Sequence, residues 1–551
     1  MAEAAISCRA APGWRANRWF GWAALALAAL PLLAVLATLL EAGAESDSEV
    51  RSHLATLLPE LLANTACLAA GVGVTALTLG TGLAWLVSQY EFPGRRWLDW
   101  ALVLPLAVPA YVLGFVLIGL LDFSGPLQTA LREWGLGSGW FPAVRSGGGA
   151  ALALSLSLYP YVYLLARNAF QTQGRRLLEA ARSLGDTRRA AFFRVVLPMA
   201  RPWLGSGLLL VLMETLADFG TVAIFNYDTF TTAIYKAWYG LFSLGAAGEL
   251  ASCLVLLALL LLAIEQRQRS RQRYAFNARG RAADGRTALR GPAAWTACVA
   301  CLLVLAAGFL VPVGQLLLWA LQVAAEDLDE RYVDYFLNSL ALGGLGAALT
   351  IAVTLLLAVA RRRSRGPAVT WAVRFATLGY AIPGTVLAVG IATPLAWLQN
   401  RLADWTQAAF GWEPPTLLGN SLAVLVLAYL VRFAAVGYGA VDSALERITP
   451  SMAEASRSLG VSGFAMVRRL HLPLLRGGLF SGALLVFVDI MKEMPITLMV
   501  RPFGWDNLAV RIFEMAAEGQ WQRAALPSVA LVLLGLVPVA LMVRAGEQKS
   551  W

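Results

Sequence analysis

The chain has 551 residues, 58% of them hydrophobic and only 14% charged, with a mean hydropathy of +0.64. That balance excludes an ordinary soluble protein. The net charge of +10 does not point to nucleic acid, because the basic residues sit in short loops between apolar runs and do not build a phosphate-binding face.

A spanning helix needs about 20 apolar residues, and backbone in lipid must satisfy its own hydrogen bonds, which leaves helices or closed barrels. The apolar runs here are continuous rather than alternating, which selects helices. Spans are expected at 20–40, 62–88, 98–121, 150–170, 203–225, 246–264, 293–321, 338–360, 369–398, 418–440, 477–500 and 525–545. The expected fold class is an all-α polytopic membrane protein with twelve transmembrane helices, arranged as two parallel six-helix repeats. With the N-terminus inside, 34 of the 44 Lys and Arg fall on the cytoplasmic side, counting 432–476 as one cytoplasmic segment. Both termini are therefore expected in the cytoplasm. The 19 Trp, many near run ends, fit an interfacial belt.

The first run follows Arg15 and Arg18 and ends near Ala42-Gly43-Ala44, which resembles a signal-peptidase site. It is long for a signal segment, and cleavage would leave an odd number of spans, so the helix is expected to be retained. The acidic stretches Glu41–Glu49 and Glu326–Asp334 follow the first span of each half on the outer side. They read as solvated loops or as contacts for a solute-delivery protein.

Before the fifth span lies a long cytoplasmic loop, 171–201, containing EAARSLGDTRRAAFFRVVLP at 179–198. A helix carrying Glu179, Ala180, Ala181 and Leu184 stops at Gly185, where a left-handed turn lets two short helices meet at an angle. Pro198 is expected to fix where the chain re-enters the membrane. Phe192, Phe193, Val196 and Leu197 would leave an apolar surface for a partner. Glu179 on its own also fits an ordinary helix-opening carboxylate. The fifth span carries Glu214 and Asp218 within an apolar run.

The segment 265–291, EQRQRSRQRYAFNARGRAADGRTALRG, is basic and polar and reads as a cytoplasmic linker. Its GRAADGRT stretch nearly matches a phosphate loop, but Arg286 replaces the lysine, and neither strand nor helix flanks it. The chain is therefore expected to bind no cofactor and to have no ATPase of its own. Cys298 and Cys301 have CxxC spacing inside an apolar run and read as packing residues, and the two His are too far apart to share a metal.

Beyond the linker the pattern repeats. EASRSLGVSGFAMVRRLHLP occupies 454–473, and Pro198 and Pro473 stand 275 residues apart. Asn64 and Asn338, Pro109 and Pro383, and Gly207 and Gly482 recur at nearly the same spacing. Six spans per half is even, so the copies are parallel. The expected division is a first half at 1–264, a linker at 265–291 and a second half at 292–551, with loops at 171–201 and 442–476. Asp489 and Glu493 repeat Glu214 and Asp218 at the 275-residue spacing. Acids inside apolar runs are costly unless paired or facing water, so all four are candidates for a path.

The two repeated stretches resemble the EAA loops of ABC importer permeases. The first fits with Val195 as the aliphatic position, and the second fits with Leu470, departing only in Ser456 for the second alanine. The resemblance implies that Glu179, Ala180, Gly185 and Pro198, with Glu454, Ala455, Gly460 and Pro473, dock two copies of a separate ABC ATPase that uses ATP. It also implies a periplasmic solute-binding protein, a bacterial inner-membrane location, a role as permease rather than enzyme, and no nucleic-acid partner.

Over nearly its whole length the chain further resembles fused two-half permeases of the ferric-iron import family, through ETLADFGTVAIFNYDTFTTAIYKAWYG (214–240) and VDIMKEMPITLMVRPFGWDNLAVR (488–511). This implies ferric iron as cargo, a hard cation suited to carboxylate and phenolate oxygen. The acids could instead be structural ion pairs with Lys492 or Arg501, and Tyr227, Tyr235 and Tyr239 are further candidates. Thiamine, phosphonate or polyamine remain alternative cargoes. A major-facilitator transporter is a more distant alternative, since FPGRR at 92–96 lies between spans two and three but that family's preceding Gly and Asp pattern is missing.

Overall fold

The computed structural model describes residues 36, 48–135, 139, 141–272, 286–363, 367–412, 421–446, 448–461 and 463–547. Among them, ten helices are long and apolar enough to cross a membrane, and a bent pair makes an eleventh span. We number these α1 (Leu54–Gln89), α2 (Ala110–Glu133), α3 (Gly147–Thr172), α4 (Arg188–Ala217), α5 (Leu244–Ile264), α6 (Pro292–Asp327), α7 (Glu330–Arg362), α8 (Gly384–Phe410), α9 (Leu422–Leu445), α10 (Leu472–Lys492) and α11 (Trp521–Ala540). The stretch Val369–Ala381 joins α8 at a bend of 115°. Eleven of the twelve expected spans thus have a counterpart; the other, 20–40, lies outside the described residues apart from Leu36, as do 273–285 of the linker.

The repeat is visible in local structure. The α3 and α9 helices open on serine caps, Ser146 Oγ accepting from Gly149 N (3.3 Å) and Ser421 Oγ from Val424 N (3.4 Å), which satisfies an otherwise unpaired amide. Short 3-10 turns, Leu104–Ala107 and Leu378–Ala381, precede Pro109 and Pro383 at the heads of α2 and α8. Helices α1, α3 and α4 pack together, as do α7, α9 and α10. The packing needs small residues: a Cβ on Gly207 of α4 would lie 2.9 Å from the Val162 Cα of α3, and one on Gly482 of α10 would lie 2.8 Å from the Ala440 Cβ of α9.

The two halves do not form separate cores. One apolar cluster joins α1–α4 to α6, the end of α10 and α11, whereas the other joins α7–α10 to α5 and Leu54 and Leu61 of α1. Helix α5 packs on α8, and α11 packs on α2 and the 3-10 turn before it. Each half thus lends its last helix to the other, so neither apolar face is buried without both halves.

Three details depart from the sequence reading. Pro198 does not open a new helix, because α4 is already helical from Arg188 and runs through it. A proline ring clashes with the carbonyl four residues back and removes a hydrogen bond; a π turn at Phe192–Val196, with Leu197 N–H donating to the Phe192 carbonyl, widens the helix just before it. The same turn recurs at Val467–His471 before Pro473, and another at Ala306–Leu310 before Pro312. The expected fifth span, 203–225, is broken: α4 ends at Ala217 and a short helix, Gly220–Ile224, follows. Finally, the helix containing α5 extends to Gln272, into the expected linker.

Candidate functional site

The two repeated loops share one backbone design. Helix Arg175–Ser183 is followed by Gly185 at φ +97°, and helix Pro450–Ser458 by Gly460 at φ +78°. Gly185 N donates to the Arg182 carbonyl (3.0 Å) and Asp186 N to the Ala181 carbonyl (3.1 Å); Gly460 N and Val461 N repeat this with Arg457 and Ser456, both at 2.9 Å. This double bond pattern closes a helix on a left-handed glycine. Ser456, the one departure in the second copy, donates its hydroxyl to the Val461 carbonyl (3.2 Å) and tightens the same turn.

Glu179, Ala180, Gly185, Glu454, Ala455, Gly460 and Pro473 are exposed, and Pro198 is half-buried. The expected apolar face is corrected in part. Val196 is buried and Phe192 packs on Trp85 (4.4 Å between ring centres), so that side of the helix faces inward and only Phe193 of the two phenylalanines is exposed. Besides Phe193, the tip leucines also turn outward, Leu184 at 88% and Leu459 at 82% exposure, 275 residues apart. The exposed leucine beside the glycine turn is thus made twice, once in each half.

Farther along α4 and α10, Glu214, Asp218, Asp489 and Glu493 all line one cavity of about 220 Å3 between the halves, with Tyr161, Tyr380, Arg432 and Lys492. The four acids differ in their partners. Asp218 accepts from Thr221 Oγ1 (2.9 Å) and Val222 N (3.1 Å), and Glu493 from Ile496 N (3.2 Å), so each caps the short helix beyond its break. Glu493 also lies 3.5 Å from Arg432 Nε, whose Nη1 donates to the Ile382 carbonyl. Glu214 accepts from Tyr380 Oη (2.8 Å). Asp489 has no hydrogen-bond partner among the described residues and lies in the field of Lys492. No three such groups among the described residues are close enough to hold a metal ion together.

The ion pairs suggested by sequence proximity are not the ones formed. Lys492 donates to the Leu106 carbonyl (3.0 Å), not to Glu493, and Arg501 pairs with Asp506 (3.1 Å) and Glu514 (2.8 Å). Tyr227 donates to Asn64, and Tyr239 to the Met499 carbonyl (2.7 Å); none of Tyr227, Tyr235 and Tyr239 lines the cavity. Burial holds the Tyr235 and Tyr239 hydroxyls above the ordinary tyrosine range, so neither is poised to become a phenolate.

Residues 76–269 match the family described as binding-protein-dependent transport system inner membrane component. A molybdenum transport system permease of Escherichia coli is 30% identical over 34% of this chain and 82% of its own length. The chain belongs to this permease family. Similarity extends over the full length to an Fe(3+)-transport system permease of Haemophilus influenzae, 29% identical over 93% of this chain and 95% of the relative. A probable ABC transporter permease of Sinorhizobium fredii is 24% identical over 96% and 95%. The protein is thus a multi-span inner-membrane permease of the ABC class, working with a binding protein.

The permease's cavity includes residues that sequence reading missed. Arg432 was counted with a cytoplasmic segment, but it lies within α9, is buried at 8% exposure and lines the cavity. Its signal was available: a lone arginine in LAYLVRFAAV is as costly in lipid as the four acids. Tyr161 and Tyr380 carried no such signal, since tyrosine is common at membrane interfaces.

Proposed function

We propose that this permease moves ferric iron, delivered by a periplasmic binding protein, through the acid-lined cavity between its halves, driven by ATP hydrolysis on two copies of a separate ATPase. The observation that carries the cargo is the full-length similarity to an Fe(3+)-transport permease, combined with four acids facing two cations around one cavity. Hard oxygen donors suit a small, highly charged cation. An excess of carboxylates around the cavity opposes an oxyanion as cargo.

In this reading the loops 171–201 and 442–476 face the cytoplasm, as do both termini, and their exposed tips Leu184 and Leu459 meet the ATPases. Glu179, Ala180, Gly185 and Pro198, with Glu454, Ala455, Gly460 and Pro473, build those contacts. Residues 1–264 and 292–551 act as the two membrane subunits, joined by 265–291. The chain itself binds no cofactor.

The test is uptake of radiolabelled ferric citrate by the complex reconstituted with its ATPase and binding protein. Asp489→Asn with Glu214→Gln is expected to cut uptake while leaving assembly intact. Wild-type complex that takes up no iron but does take up another solute would overturn the cargo. Unchanged iron uptake in the double variant would remove the acids from the path.

A further inference from the structure

Two hydrogen bonds cross between the halves at corresponding places. Tyr380, in the 3-10 turn Leu378–Ala381 of the second half, donates to Glu214 of the first (2.8 Å). Lys492, the last residue of α10 in the second half, donates to the carbonyl of Leu106, in the turn Leu104–Ala107 of the first (3.0 Å). Leu106 and Tyr380 occupy equivalent positions, each three residues before the proline that opens α2 or α8. Each turn is therefore held by the broken fifth span of the opposite half.

The sequence builds these contacts. The Leu106 carbonyl lacks its natural 3-10 partner, because the donor three residues on would be Pro109, which has no N–H. A half-buried carbonyl without its partner loses a hydrogen bond, and the Lys492 ammonium supplies one. The lysine reaches the carbonyl across Gly535 of α11, where an added Cβ would stand 2.9 Å from Nζ. Glycine there leaves room for the end of the lysine side chain and for the Ala107 carbonyl, which a Cβ would crowd. The ammonium thus sits at the wall of the cavity, in the field of Asp489, whose carboxylate has no hydrogen-bond donor among the described residues.

We propose that Tyr380 and Lys492 are gate residues: their crossed hydrogen bonds to Glu214 and to the Leu106 carbonyl hold the halves closed around the acid-lined cavity and must break for cargo to pass. The proposal rests on reading that cavity as the path. Breaking the Tyr380 bond frees Glu214 from its donor, so opening and exposure of a cation-binding carboxylate are one event. The two bonds differ in kind, neutral hydroxyl to carboxylate and ammonium to carbonyl, yet each has one charged member and belongs to the stronger class.

The experiment measures leak through the full chain, reconstituted in vesicles without ATPase or binding protein, using manganese entry read by quenching of trapped calcein. Wild-type vesicles are expected to be tight. Tyr380→Phe and Lys492→Met should each raise entry, and the double variant should leak about ten-fold or more faster, the population shift expected from losing such bonds. A double variant that melts and elutes like wild type but stays as tight overturns the proposal. Should the double variant fail to fold, the single Tyr380→Phe variant takes its place, and entry no faster than wild type in a variant that melts like wild type overturns the gate. A leak that rises while wild-type complex takes up no iron removes only the ferric reading; a tight double variant beside intact iron uptake removes only the gate.

Discussion

Arg432 Nε lies 3.5 Å from Glu493 Oε2, with both side chains less than a tenth exposed. Breaking a buried pair by removing one partner leaves an uncompensated charge and costs on the order of 3 kcal/mol. Arg432→Met and Glu493→Ala are each expected to lower the melting temperature of the purified chain in detergent. Arg432→Met with Glu493→Gln should recover most of the loss, since it leaves no net charge behind. A double variant no more stable than either single would show that the two groups are not coupled.

Gly185 and Gly460 adopt left-handed backbone at the tips of the repeated loops, and an added Cβ at either would meet nothing within 4 Å. A substitution there is penalised by backbone conformation alone, about 1–2 kcal/mol for a residue with a Cβ. Valine should therefore disrupt ATPase association strongly, whereas asparagine, which tolerates this conformation, should retain most of it. Co-purification of the ATPase with each variant reads the difference. Equal loss with valine and asparagine would mean that the glycine surface, not the turn, makes the contact.

The spans were legible because lipid imposes one rule on every apolar run, and the duplication because Pro198 and Pro473 end stretches that share their opening EA, their RSLG and their closing LP. That Glu214, Asp218, Asp489 and Glu493 meet at one cavity follows from placing their repeated positions opposite each other. The breaks after Ala217 and Lys492 had a weak signal in Pro495 alone. The exchange of α5 and α11 between cores was not legible, because hydropathy shows that a helix is apolar and not which neighbour covers it. Tyr380 reaches Glu214 across 166 residues of chain, a contact no local pattern encodes.

Asn64 donates from Nδ2 to the Asp228 carbonyl and Asn338 to the Asp506 carbonyl, both at 3.1 Å. Each ties the first helix of its trio, α1 or α7, to the segment beyond the broken fifth span. Alanine at either position should cost about 1 kcal/mol and loosen only its own half. Amide exchange around Asp228 is expected to quicken in Asn64→Ala, and around Asp506 in Asn338→Ala. Exchange that quickens in both segments in each variant would mean that the ties are coupled across the halves.

Gly207 and Gly482 allow the same close approach but against different atoms, and this predicts different rescue. A Cβ on Gly482 meets the Ala440 Cβ at 2.8 Å, whereas one on Gly207 meets the Val162 Cα at 2.9 Å. Alanine at either site overpacks a helix contact and should cost about 1–3 kcal/mol. Removing the opposing methyl relieves only the first clash: Gly482→Ala with Ala440→Gly should melt well above Gly482→Ala alone. Gly207→Ala with Val162→Ala should gain little, because the atom in the way is backbone and a smaller side chain does not move it. Equal rescue in both halves would mean that the helices shift apart instead, and that close packing is not what fixes α4 against α3.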